Sequence, residues 1–191
     1  MATLKVKKLQ EDALIPEVPK QGNIGVDLIA NEIVTIPAFN HINSYGEPKT
    51  LLELKKLAKD GIKVAPNRKV VKTNVAMEFV VPEDGYKYYF RIAPRSGNST
   101  LGIDIGAGVV DAIYRGNVGV VVINNSQYPI IINQGDRIAQ GILERAYPIE
   151  NIEEVSDLSE TIRGEKGFGS SDSPKVTIHY PSVATKQIQP K

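Results

Sequence analysis

Residues 118–143 read VGVVVINNSQYPIIINQGDRIAQGIL. Three apolar runs, 118–124, 129–133 and 137–143, are cut by two turns, Asn124-Asn125-Ser126 and Asn133-Gln134-Gly135-Asp136. Asn, Asp and Ser make turns because their short side chains bond nearby backbone, and Gly because positive φ carries no steric penalty. Short Val- and Ile-rich runs between such turns predict β-strands. The pattern extends outward to Leu4-Lys5-Val6-Lys7, 62–66, 70–81 and 87–93, with Pro82-Glu83-Asp84-Gly85 as a further turn. Many short strands at regular spacing predict an all-β chain, an antiparallel sandwich, jelly roll or barrel.

One segment departs from that pattern. Thr50-Leu51-Leu52-Glu53 is a capping box, Leu51, Leu54, Leu57 and Ala58 share one helical face, and Gly61 can close the C-terminus. This predicts one short helix, its stripe docked on the sheet or on a neighbouring subunit. Lys5, Lys7 and Lys8 read as the solvated side of the first strand.

The chain has 191 residues, 23 basic and 22 acidic. A balance so close to neutral predicts no nucleic-acid or acidic-membrane surface. No cysteine occurs, so disulfides and thiolate metal sites are excluded, and His41 and His179 alone give no basis for a zinc site. No apolar stretch is long enough to span a bilayer and the N-terminus alternates, so an intracellular protein, cytoplasmic or nuclear, is expected.

Asp111 stands in the otherwise apolar run Gly108-Val109-Val110-Asp111. A carboxylate buried there without a partner would cost several kcal/mol, so it is hydrogen-bonded, functional, or simply a turn-former before Arg115-Gly116. Four other phrases accompany it: Gly25-Val26-Asp27-Leu28, Ala93-Pro94-Arg95-Ser96-Gly97, Gly135-Asp136-Arg137-Ile138-Ala139-Gln140, and Arg163-Gly164-Glu165-Lys166-Gly167-Phe168-Gly169-Ser170-Ser171. Arg95, Ser96 and Gly97 supply a guanidinium, a hydroxyl and an open backbone N–H, the groups that hold phosphate oxygens. The last phrase repeats that chemistry on a Gly- and Ser-rich tail expected to be mobile when empty. Phe168 either stacks on a base or staples the tail.

Each phrase alone is common. In this order and spacing they closely resemble the five signature motifs of the homotrimeric dUTP pyrophosphatases, over about residues 3–30 and 62–173. The resemblance implies a distorted jelly roll, three subunits about a threefold axis, and sites shared between subunits. It divides the chain into a β domain over 1–162 with a helical insertion at about 32–61, a lid at 163–173 and an extension at 174–191.

The implied activity is cleavage of dUTP to dUMP and pyrophosphate, which limits uracil in DNA and supplies dUMP for dTMP synthesis. Asp111 would be the general base that activates water against the α-phosphorus. Arg95, Ser96, Gly97 and Gln140 would hold phosphates from the body, and Arg163, Gly169, Ser170 and Ser171 from the tail, with Phe168 over the uracil. Main-chain groups at Gly108, Val109 and Val110, in a hairpin over 105–116, would read the uracil edge. Tyr114 would lie beneath the deoxyribose and exclude a 2′-hydroxyl. Mg²⁺ would ride on the phosphates and waters, with Asp27 reaching it through water. Neither nucleic acid nor membrane is an implied partner.

Departures from the family pattern are Ile113 in place of a common acid, no basic residue in Asn98-Ser99-Thr100-Leu101-Gly102, and Ser-Ser-Asp where Ser-Thr-Gly is commoner. Two rivals follow. A dCTP deaminase needs a glutamate where this chain has Val121. A dUTPase-like regulatory or protein-binding module would use the insertion as its surface.

Overall fold

The computed structural model describes residues 2–39, 50–60 and 67–165. The chain divides into two units, Met1–Ile149 and Glu150–Lys191. The first holds strands β1 (Thr3–Lys8), β2 (Val26–Ile29), β3 (Val34–Ile36), β4 (Arg68–Lys72), β5 (Val75–Val80) and β6 (Lys87–Ala93). It continues with β7 (Ile103–Gly106), β8 (Val109–Asp111), β9 (Gly119–Asn124), β10 (Ile130–Ile132) and β11 (Arg137–Ala146), and with helices α1 (Leu51–Lys59) and α2 (Ser96–Thr100). The strands form antiparallel sheets in the orders β1-β5, β3-β10, β2-β11-β6-β8 and β4-β9-β7. The all-β expectation holds.

Strand β9 shows why the core sits where it does. Val120, Val122 and Asn124 alternate inward and are fully buried, while Gly119, Val121 and Ile123 are half-buried on the other face. Leu28, Ile36, Val71, Val75, Phe90 and Val118 complete the interior. On β11, a Cβ at Gly141 would overlap the Phe90 ring, so glycine there lets the largest core side chain lie against the strand.

Asn124 is a polar hub in that interior. Its Nδ2 donates to the carbonyls of Ile36 (3.2 Å), Pro37 (3.1 Å) and Tyr128 (2.8 Å), and its Oδ1 accepts from Ser126 N–H (3.0 Å) and Oγ (2.7 Å). One amide thus ties the end of β3 to the β9–β10 turn.

The expected run 70–81 is two strands, β4 and β5, broken at Thr73-Asn74, where Asn74 takes φ +54°. A second helix, α2, stands where none was expected. β3 pairs with β10 and buries Ile36. The span 105–116 is not a hairpin either: β7 pairs with β9 and β8 with β6, so the chain changes sheets at Ala107, which takes φ +51°. The expected strand 62–66 lies outside the described residues.

Helix α1 has its capping box: Thr50 N–H donates to Glu53 Oε2 (2.7 Å) and Glu53 N–H to Thr50 Oγ1 (3.3 Å). Its last turn closes at Asp60, whose N–H donates to Lys56 O. Gly61 is outside the described residues. Leu54 and Leu57 are half-buried, whereas Leu52 and Ala58 are exposed.

The first compact unit ends at Ile149. Residues 150–165 of the second unit form no strand or helix, and Ile152, Leu158 and Ile162 are exposed. No described helix is long and apolar enough to cross a membrane.

Replacing Asn124 by Ala removes the amide donor from the carbonyls of Ile36 and Pro37 and the acceptor from Ser126 N–H, while Tyr128 O keeps Ser126 Oγ (2.9 Å). A loss of about 3 kcal/mol is expected, read by equilibrium urea unfolding as a lower midpoint with unchanged slope.

Candidate functional site

Two groups of the predicted residues assemble, at different places on the first unit. The first gathers on β2, β11 and the turn between β6 and α2. Asp27 is 3% exposed; Arg95 Nε lies 3.1 Å from its Oδ1, and Arg137 Nε 3.3 Å from its Oδ2. Arg95 Nη1 donates to Arg137 O (3.2 Å), and Arg137 Nη2 donates to Glu17 Oε2 (3.2 Å). Asn98 on α2 donates to the carbonyls of Arg137 and Ile138, locking the helix onto β11.

Gln140 stands opposite Asp27 in the β11–β2 register, and its Nε2 donates to Pro94 O (2.9 Å). A Cβ at Gly25 would come within 2.8 Å of Gln140 Oε1, so that glycine gives the amide its room. Ser96 and Gly97 open α2, and a side chain at Gly97 would meet nothing within 4 Å. A groove of about 600 Å³ borders Arg137, but Leu14, Ile15 and Ile29 in its walls offer nothing to a phosphate.

The second group surrounds β8. A pocket of about 210 Å³ is lined by Ala107, Val109, Val110, Asp111, Tyr114, Asn117, Val118 and Gly119. β8 is the edge strand of its sheet. Ile92 N–H donates to Gly108 O (2.7 Å), so the alternation of antiparallel bonding turns the backbone groups of Gly108 and Val110 toward β6. Those of Val109 and Asp111 face away from the sheet.

Asp111 is exposed, contrary to the burial its apolar neighbours suggest, because β8 ends the sheet and places it at the rim. Its carboxylate has no hydrogen-bond or ion-pair partner among the described residues. The row of side chains across the sheet explains why. Asp111 lies opposite Tyr89, and Tyr89 opposite Glu144. The Tyr89 hydroxyl donates to Glu144 Oε2 (2.5 Å), and Arg91 Nε donates to Glu144 Oε1 (2.6 Å). The Tyr89 hydroxyl, first, and then Arg91 hold the Glu144 carboxyl below its usual range; the same bond pushes the Tyr89 phenol up. Both donors are committed to Glu144.

Strand β6 sets the distance between the groups. Gln140 pairs with Ala93 and Asp111 with Tyr89, roughly 13 Å along the strand and roughly 10 Å across it. A single chain therefore presents an acid beside one pocket and guanidinium groups elsewhere. Arg163 lies in the second unit, in a turn closed by Gly164 N–H to Thr161 O (3.0 Å). Phe168, Gly169, Ser170 and Ser171 lie outside the described residues.

Sequence reasoning missed Arg137, Asn117 and Glu17. Arg137 stood inside a quoted phrase and could have been found there. Glu17 and Asn117 carry no local signal.

The sequence profile of the dUTPase family matches residues 52–172. The deoxyuridine 5'-triphosphate nucleotidohydrolase of Variola virus is 51% identical over 104 residues, 54% of this chain and 67% of the viral protein. That of Camelpox virus (strain CMS) is 50% identical over the same coverage. Among solved structures, a variant of the phage 80alpha dUTPase has a TM-score of 0.65 at 25% identity, covering 88% of this chain and 98% of its own. A phage phi11 dUTPase variant, solved for its structural Mg(II) ion, is similar in fold (TM-score 0.58, 23% identity, 83% and 99% coverage).

Asp27→Ala leaves two guanidiniums facing one another. A loss of about 2 kcal/mol is expected on urea unfolding, less than for a fully buried pair because the two arginine side chains are 34% and 47% exposed.

Proposed function

The chain belongs to the dUTPase family, and on that footing we propose that it hydrolyses dUTP to dUMP and pyrophosphate at sites shared between three copies. The observation that carries the reading is the unpartnered Asp111 carboxylate on the wall of the Tyr114 pocket, set apart from the guanidinium group. Each half lacks what the other has. A second copy completes the site by bringing its phosphate-holding half to this chain's base-and-sugar half.

In that assembly the edge of β8 offers outward main-chain groups to the uracil, and Tyr114 lies beneath the sugar. Cytosine presents the reverse donor–acceptor pattern and leaves buried groups unpaired. Arg95, with Nε and Nη1 held by the protein, keeps Nη2 for a phosphate oxygen; Ser96, Gly97 and Gln140 add further donors. Asp111 accepts a proton from water as that oxygen attacks the α-phosphorus, and pyrophosphate departs. Arg163, Phe168, Gly169, Ser170 and Ser171 close over the nucleotide.

The donor set suits Mg²⁺ carried by the substrate. No group of three His, Cys, Asp or Glu side chains gathers among the described residues, and the buried Asp27 Oδ2 makes no hydrogen bond, its ion-pair partner Arg137 Nε lying 3.3 Å away. It can accept from a water on an ion held by phosphates. An Mg²⁺ held there by the phosphates, with Asp27 reaching it through water, would neutralise and align the triphosphate.

A protein-binding role would draw on α1, whose Leu54 and Leu57 are only half-buried and whose Leu52 is exposed. Deamination lacks support, because Val121 offers no proton shuttle.

Pyrophosphate release from dUTP, dCTP, dTTP and UTP with Mg²⁺ tests the reading, with dUTP alone expected to turn over efficiently. Asp111→Asn is expected to lower kcat by about 10²–10⁴ with assembly unchanged on sizing; wild-type turnover would overturn the base assignment. Truncation after Ile162 is expected to leave assembly intact and nearly abolish turnover, and full activity would remove the lid from the mechanism.

A further inference from the structure

The pocket beside Asp111 is braced by a row of amide side chains. The Asn117 amide makes a reciprocal pair with residue 74: its Oδ1 accepts from Asn74 N–H (3.1 Å) and its Nδ2 donates to Asn74 Oδ1 (2.8 Å). Asn74 Nδ2 then donates to Gln10 Oε1 (2.7 Å), and Asn74 O accepts from Leu9 N–H (2.9 Å). Either side, Thr73 Oγ1 donates to Val118 O (2.7 Å) and Val118 N–H to Val75 O (2.9 Å). Asn74 is buried at φ +54°, a conformation that Asn tolerates better than most residues. The bend between β4 and β5 is thus shaped to present both faces of one peptide–amide unit to Asn117.

Tyr114 rests on the far end of this row. Its hydroxyl donates to Asn117 O (3.0 Å), and a Cβ at Gly116 would overlap that hydroxyl. The ring therefore lies against bare backbone, and its tip is held by the residue whose amide is clamped to Asn74. The clasp occupies one N–H and one lone pair of the Asn117 amide and fixes its plane against Asn74. Arg115 closes the loop from outside, donating to Ala112 O (2.6 Å) and Tyr114 O (3.0 Å).

We infer that the Asn117–Asn74 pair positions the Tyr114 ring in its pocket and thereby sets the discrimination between deoxyribose and ribose nucleotides. This rests on the dUTPase reading above. Asn117 stands in the pocket wall and Asn74 outside it, and both act through Tyr114. Loss of the pair frees the 114–117 loop, and the ring yields to a 2′-hydroxyl that the braced ring excludes.

Asn74→Gly keeps the positive φ and deletes the amide. The expected result is a rise of at least about tenfold in the ratio of kcat/KM for UTP to that for dUTP, carried by a lower KM for UTP. Asn74→Asp keeps both the acceptor for Asn117 Nδ2 and the tolerance of positive φ, and is expected to hold the wild-type ratio. Asn117→Ser, in the loop and too short to reach residue 74, cuts the pair from the other side. It is expected to raise the ratio equally, and it decides the matter should Asn74→Gly not fold. An unchanged ratio in Asn117→Ser overturns the positioning role while leaving the hydrolase reading intact. A relaxed ratio in Asn74→Asp equal to that of Asn74→Gly also overturns it. Wild-type protein that releases no pyrophosphate from dUTP overturns both.

Discussion

Strand β6 is hydrogen-bonded along both edges, to β11 on one side and to β8 on the other. Its length and register fix how far apart Gln140 and Asp111 stand. Through Ala93 it holds Gln140 near the arginines, and through Tyr89 it holds Asp111 at the opposite rim. Strand spacing and rise are set by backbone hydrogen bonding, so no side-chain rotation brings the two groups together within one chain. This separation is the ground for the proposal of a site shared between copies. Because β8 ends the sheet, it also has main-chain groups to spare for a ligand.

The other organising feature is the use of buried amides where strands meet. Asn124 joins β3 to the β9–β10 turn, and Asn74 joins the segment just after β1, the β4–β5 bend and the loop after β8. An amide carries both donor and acceptor, so it can satisfy two segments of backbone at once without bringing a charge into the interior. The one buried charge among the described residues, Asp27, is balanced by two guanidiniums whose outer ends reach solvent. The apolar core supplies bulk; these polar nodes fix the register of loops that carry the candidate site.

Legibility followed element length. The runs at 87–93 and 118–124 are long enough for alternation to show, and both strands stand where expected. β3 and β8 have three residues each and leave no period to detect. The break in the run 70–81 did carry a signal, since Thr73-Asn74 is a turn-former in an apolar series, but alternation across it masked the bend. The helix at 51–59 was readable from its capping box, because a cap is a local interaction between residues three apart. Asp111 was recognisable as an outlier, although the reason offered, burial, is not what the fold provides.

Local chemistry, written in order along the chain, determined the strand-rich class and the capped helix, and it singled out the acid, the arginine and the tyrosine as candidates. Pairing partners were beyond it. Whether β7 meets β8 or β9, and which donors are taken by Glu144 before Asp111 can use them, depends on segments tens of residues apart. The clasp between Asn74 and Asn117 spans 43 positions. Only the folded backbone brings such residues within bonding distance, since hydrogen bonds act over about 3 Å and carry no trace in residue order.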